Sequence, residues 1–279
     1  MLSCVNANVM HILPLVAALI IASPLPALAA DTPWQEIAPG VSVRLVSSGQ
    51  VSSSGVTTIG LEIDMPSDTK TYWRVPGDTG LPLNLDFAGS KGIASYQVVW
   101  PYPTREKKGA YLDYVYYGPT VLPIELTLDG ADTHAVVSAT LGICSDICIP
   151  AQASFDLALS GASVDKVNSL RLRQALAQAP ILWEESDEPL GEVDFLPDER
   201  AIAIEIADPN LDISSLIATT ETGTPLFGMP QKSPQQDLVL LPILEKTENS
   251  GLEGRDVQLT FMTGMGAFEL SRTIGADDE

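Results

Sequence analysis

From Trp34 to about Leu159 the chain is written in short apolar runs that alternate residue by residue and are cut by turn formers. Alternation with a period of two buries one face of a β-strand, and it denies a helix the continuous stripe that a 3.6-residue turn requires. Val41, Val43 and Leu45 share one face of a first run, and Ile59, Leu61, Ile63 and Met65 share one face of a second. Further runs follow at 71–75, 81–87, 93–100, 122–128, 135–143 and 153–159, with Pro76-Gly77-Asp78 as a turn and Pro82 suiting a strand start or an edge. Eight or so strands at this spacing predict an all-β, antiparallel sandwich of immunoglobulin-like shape.

The ends of the chain set its compartment and extent. Residues 1–30 hold no Asp, Glu, Lys or Arg, and Ile12 to Ala22 is an apolar run of signal-peptide length, broken by Pro24 and Pro26. Ala27-Leu28-Ala29 has the small-x-small form of a cleavage site, so residues 1–29 are expected to be a signal peptide and the mature chain to begin at Ala30. The segment before the run lacks Lys and Arg, and Met10 is an alternative start. The run is shorter than the roughly 20 residues a membrane span needs, so no stable membrane insertion is expected after cleavage. Cys4 is lost with the signal. With 36 acidic against 15 basic residues the net charge is -21, which excludes a nucleic-acid partner dependent on clustered cations.

Export gives meaning to the two cysteines that remain, Cys144 and Cys148, because disulfides form and persist outside the cytosol. In a straight strand their Cα atoms would lie about 13 Å apart. A disulfide needs roughly 4.4 to 6.8 Å, so Ser145, Asp146 and Ile147 must turn if the two are joined. Closing so small a loop removes only about 2 kcal/mol of unfolded-state entropy, a poor staple for a chain of this size. A pair on a turn can instead be reached by another protein's thiolate. Redox exchange, a structural bridge and a metal site all stay open from the spacing alone. Asp146, inside the turn, is a candidate modulator of thiolate formation.

The stretch Pro101 to Tyr111 reads as an exposed, mixed-charge loop, followed by Tyr114, Tyr116 and Tyr117. Tyr114 and Tyr116 can equally fill one strand face.

Tyr72-Trp73-Arg74, Val99-Trp100-Pro101, Val121-Leu122-Pro123-Ile124 and Cys144-Ser145-Asp146-Ile147-Cys148-Ile149-Pro150 occur in an order that resembles the N-terminal periplasmic domain of the thiol:disulfide interchange protein DsbD, nearest its ScsB-type, copper-tolerance-associated relatives. The resemblance covers roughly residues 50–160. It implies an immunoglobulin-like domain whose cysteine pair, here Cys144 and Cys148, takes electrons from a membrane-embedded thiol reductase. The electrons pass on to periplasmic thioredoxin-like proteins without a cofactor. It also implies an aromatic cap over the pair. The 101–111 segment matches that cap by position, which makes Tyr102 and Tyr111, with Tyr72 and Trp73, candidates for covering the pair or contacting a partner. The spacing of the cysteines is shorter than in the best-known members.

After Leu159 the pattern changes. Residues 163–179 have helical character, with Ser163 as N-cap, a Val164, Val167, Leu170 stripe, then Leu172 and Leu176, and Pro180 beyond the end. This predicts a short helical linker over 161–180, packed between domains or serving as a docking element. Runs at 201–207, 238–244, 257–262 and 267–273 predict a second β-sandwich over 181–274, without cysteine or histidine and without a catalytic constellation. Residues 275–279 read as an acidic tail. The competing functions are a binding module with a structural disulfide and a Cu(I) site using Cys144, Cys148 and His134, with Met229, Met262 and Met265 too scattered to join it. No resident metal or cofactor is expected.

Overall fold

The structure, a computed structural model, describes residues 1, 30–159, 164–235, 237–244 and 251–276. The predicted signal segment falls outside these residues. The first half contains β1 (Gln35–Ala38), β2 (Val41–Val51), β3 (Val56–Asp64), β4 (Lys70–Gly77), β5 (Asn84–Asp86), β6 (Ile93–Val98), β7 (Thr104–Lys108), β8 (Tyr111–Tyr117), β9 (Thr120–Leu128), β10 (His134–Cys144) and β11 (Cys148–Ala158). They form one sheet in the order β1-β2-β3-β9-β6 and a second in the order β11-β10-β4-β8-β7, with β5 on β10. Every pairing here is antiparallel.

The alternating residues meet between the two sheets. Val43, Leu45, Ile59, Leu61 and Ile63 from one sheet pack with Trp73, Tyr114, Val137, Leu141 and Phe155 from the other in a single core. This is the immunoglobulin-like, all-β architecture. One expectation fails: the 101–111 segment is not a loop, because Thr104–Lys108 pairs residue for residue with Tyr111–Val115. Its charged side chains are those of an edge strand, where solvent takes one face, and Gly109 turns the chain at φ +63°.

The helix α1 (Lys166–Leu176) begins at an N-cap supplied by Asp165, whose carboxylate accepts from the Asn168 backbone amide. The expected cap, Ser163, lies outside the described residues. Val164, Val167 and Leu170 are exposed, and the helix instead lays Asn168, Ser169, Leu172 and Ala175 against the outer face of the first sheet. Space decides this face. A Cβ on Gly60 would come within 2.6 Å of Leu172 Cδ2, so only the bare backbone of β3 admits that leucine.

The second half contains β12 (Ile181–Leu182), β13 (Leu190–Leu196), β14 (Ala201–Ile206), β15 (Ile217–Thr220), β16 (Gln231–Lys232), β17 (Leu238–Pro242), β18 (Asp256–Thr263) and β19 (Gly266–Ala276), with a 3-10 turn at Ile213–Ser215. They form one sheet in the order β15-β18-β19-β13-β14-β17-β16, with β12 also on β19. A second antiparallel β-sandwich was expected. Instead β19 pairs with β18 along one stretch and, parallel, with β13 through Ile274, Gly275 and Ala276, so one strand continues through both halves of the fold. Gly275 and Ala276 thus belong to a strand and not to a tail. The core inside holds Leu190, Ile204, Phe227, Leu241, Leu259 and Phe261.

Candidate functional site

β10 and β11 form a hairpin paired without interruption from His134 and Ala158 to Cys144 and Cys148. Ser145, Asp146 and Ile147 make the turn, closed by the Ser145 amide donating to the Ile147 carbonyl at 3.3 Å. The ladder places the two cysteines directly opposite, with Cα atoms 4.1 Å apart, and they are joined as a disulfide.

The two sulfurs differ in surroundings. Cys144 is 1% exposed and sits in a small cluster with Tyr72 and Val115, on the face of its sheet turned away from the inter-sheet core. Cys148 and the turn are exposed, Ile147 strongly so. The Tyr72 hydroxyl lies 2.7 Å from Cys144 Sγ and 3.4 Å from Cys148 Sγ. Burial raises the Tyr72 pKa, with the Thr79 hydroxyl and Lys70 acting the other way. The phenol therefore stays protonated and can donate to sulfur.

Two glycines make the slot for that ring. A Cβ on Gly80 would lie 2.2 Å from Tyr72 Cδ1, and one on Gly142 would lie 3.0 Å from Cδ2 and 2.9 Å from the Leu81 carbonyl. The loop carrying Gly80 is fastened at both ends. The Gly142 amide donates to Leu81 O, the Leu112 amide to Asp78, and Asp113 accepts from both the amide and the hydroxyl of Thr79 at 3.0 and 2.6 Å.

Beside the disulfide opens a cleft of about 280 Å³ lined by Lys70, Glu106, Tyr111, Asp113, Tyr117 and both cysteines. Lys70, the β4 neighbour of Cys144 in the ladder, forms ion pairs with Glu106 and, at 3.3 Å, with Asp113. Burial alone would lower the Lys70 pKa, but the bonds to Glu106 and Asp113 and the charge of Glu106 raise it. Burial would raise Glu106, but hydrogen bonds with Lys70 and Tyr117 bring it below the ordinary value. The same burial, with Glu106 beside it, raises Tyr117. Both members of the pair thus stay charged at neutral pH.

The aromatic candidates separate. Tyr72 touches the sulfurs and Tyr111 lines the cleft, whereas Trp73 is fully buried in the core, edge-on to Tyr114 at 5.6 Å between ring centres. Alternation explains this, since residues 72 and 73 must face opposite sides of one strand. Tyr102 is directed elsewhere, donating to the Ser215 carbonyl of the second half at 2.5 Å. The β7–β8 hairpin forms a wall of the cleft, and Cys148 remains open to solvent. Asp146 also lines the cleft. Tyr114 and Tyr116 fill the core face of β8. His134 stands at the opposite end of β10 from Cys144, roughly 33 Å away at strand spacing. It is paired with Asp156, so it does not join the cysteines in a metal site.

Lys70, Thr79, Gly80, Glu106, Asp113 and Gly142 were not identified from the sequence. The one available signal was Asp113, an acid set among aromatics on a strand whose alternation puts it on the face of Val115. Among the described residues no group of three or more His, Cys, Asp or Glu side chains could hold a metal, and no helix is long and apolar enough to cross a membrane.

Residues 42–160 match the family described as thiol:disulfide interchange protein DsbD, N-terminal. No curated protein matches the chain. The fold is similar to the N-terminal periplasmic domain of ScsB from Proteus mirabilis, with a TM-score of 0.71, 22% identity, and coverage of 88% of this chain and 98% of that one. A match to the CupB2 chaperone of Pseudomonas aeruginosa has a TM-score of 0.21 at 12% identity, over 82% of this chain and 100% of that one, and carries no argument.

Proposed function

We propose that the protein is a periplasmic thiol–disulfide carrier that relays electrons from a membrane-embedded reductase to thioredoxin-like partners through Cys144 and Cys148, a reading supported by the match of residues 42–160 to the DsbD N-terminal family. The observation that carries the reading is the asymmetry of the disulfide: Cys148 is open, and Cys144 is buried against a phenol that can donate.

A thiolate of the donor attacks Cys148 Sγ in line with the S–S bond. That bond breaks, and Cys144 leaves with the electron pair as a thiolate that accepts the Tyr72 hydrogen bond. The donor's second thiolate then attacks its own mixed-disulfide sulfur and releases Cys148, leaving the donor oxidised and this pair reduced by two electrons. Delivery runs the same steps toward an acceptor. Cys148 thiolate attacks the acceptor's disulfide, and Cys144 attacks Cys148 to free the reduced acceptor. A thiol buried beside its partner meets that partner first, so Cys144 suits resolution and Cys148 attack.

Redox titration with alkylation and mass measurement tests this. A midpoint above about -300 mV, with a mixed disulfide trapped on Cys148 in C144S and none on Cys144 in C148S, is the expected result. A much lower midpoint with no trapped species would make the bond a structural bridge.

A further inference from the structure

The second half of the chain holds no cysteine, yet it grips the strands that build the redox cleft. Arg105 donates from Nη1 to the Ser214 carbonyl at 2.6 Å and from Nη2 to the Leu216 carbonyl at 2.5 Å, and Tyr102 takes the Ser215 carbonyl between them. Three successive carbonyls at the end of one 3-10 turn thus receive three donors from the first half. That turn is itself fixed. Asp212 caps it, and the Ser215 hydroxyl accepts from the Met262 amide of β18. Ile217 and Leu226 beside it are buried within the core of the first sandwich. On β4, Arg74 reaches Glu269 at 2.9 Å.

Arg105 and Arg74 lie on the strands that flank β8 in the order β4-β8-β7, and Tyr102 stands two residues before β7. Arg105 and Glu106 are consecutive in β7 and therefore face opposite sides. Arg105 pairs across the ladder with Tyr114, on the core side, and Glu106 with Asp113, on the cleft side. An edge strand has one neighbour to hold it, so β7 depends on its remaining contacts for position. One of those contacts is the grip of Arg105 on the second half.

We propose that Arg105 is a positioning residue: by clasping the Ser214 and Leu216 carbonyls it makes the second half of the chain the fixture that holds Glu106 against Lys70 at the disulfide. The reactivity of Cys144–Cys148 then depends on a module that never touches sulfur. This rests on the carrier function for its consequence, but not for its geometry.

The full mature chain serves for the test. Wild type, R105A, R105K, Y102F, E106Q and R105A/E106Q are compared by hydrogen exchange of the oxidised protein and by rate of reduction with dithiothreitol across pH. R105A is expected to lose amide protection over residues 104–111. It should also be reduced faster by about three-fold or more, as expected when one fixed negative charge no longer opposes an incoming thiolate. E106Q should show the same acceleration and the same altered pH profile, and R105A/E106Q should add nothing to it. R105K, which keeps the charge and loses the fork, should fall between wild type and R105A. If R105A fails to fold, Y102F, lacking one hydrogen bond, should move rate and protection in the same direction by less. Unchanged rate and pH profile in a folded R105A, or full additivity with E106Q, would overturn the proposal. A wild-type disulfide that dithiothreitol cannot reduce would remove the carrier function instead, and the loss or retention of protection in R105A would still decide the clamp.

Discussion

Replacing Tyr72 by Phe isolates the role of one hydroxyl. The ring stays in its slot between Gly80 and Gly142, and what is lost is the contact of 2.7 Å to Cys144 Sγ and the longer one to Cys148. In the disulfide the sulfur is a weak, neutral acceptor, so stability should fall by no more than about 1 kcal/mol. Reduction changes the balance, because Cys144 leaves as a thiolate, and a hydrogen bond to a charged group contributes about 1.5–3 kcal/mol. With roughly half of the charge developed at the transition state, the barrier should rise by about 0.7–1.5 kcal/mol, a slowing of about 3- to 12-fold. The assay is the second-order rate of reduction by dithiothreitol at pH 7, with thermal unfolding of the same samples as a check on the fold. Rates within a factor of about 1.5 of wild type, in a protein of unchanged stability, would mean that the phenol fills space and does not stabilise the leaving sulfur.

The slot itself can be tested with G142A. The added Cβ would press on both the Leu81 carbonyl and the Tyr72 ring, so a loss of about 1–3 kcal/mol in chemical denaturation is expected, with slower reduction as the hydroxyl shifts from sulfur. The Lys70–Glu106 pair predicts an acid-sensitive hairpin. The Glu106 pKa is lowered from its ordinary 4.5, so the stability it contributes is complete above that value and is lost as pH falls through the lowered one. Urea midpoints across pH 3–6, about the carboxylate range, should show this loss in wild type and a shallower one in E106Q. Equal slopes would refute it.

Much of the first half was legible because local chemistry and final structure agree there. Alternation in 41–46, 57–65 and 135–143 marks strands with one dry face, and the interval between the cysteines requires a turn at Ser145–Ile147 if they are to meet. The 101–111 segment misled because its charges look like those of a loop. An edge strand carries the same charges, and only its pairing partner distinguishes the two. The helix misled similarly. Val164, Val167 and Leu170 form the more apolar stripe, but the face that packs is the one whose leucine fits over Gly60, a steric match between residues more than a hundred positions apart.

The all-β class and the disulfide turn are encoded locally, since both follow from residues within a few positions of one another. Tertiary structure alone decided what stands around the sulfurs. Lys70, Glu106 and Asp113 come from three strands and share a cleft because β4, β8 and β7 are adjacent, and Tyr72 reaches the sulfurs from β4. It also turned Trp73 into the core, one residue from Tyr72, and gave β19 to both halves of the second module. Neighbourhood across a sheet depends on which strands pair, and pairing is settled by burial of the whole core, which no local stretch encodes.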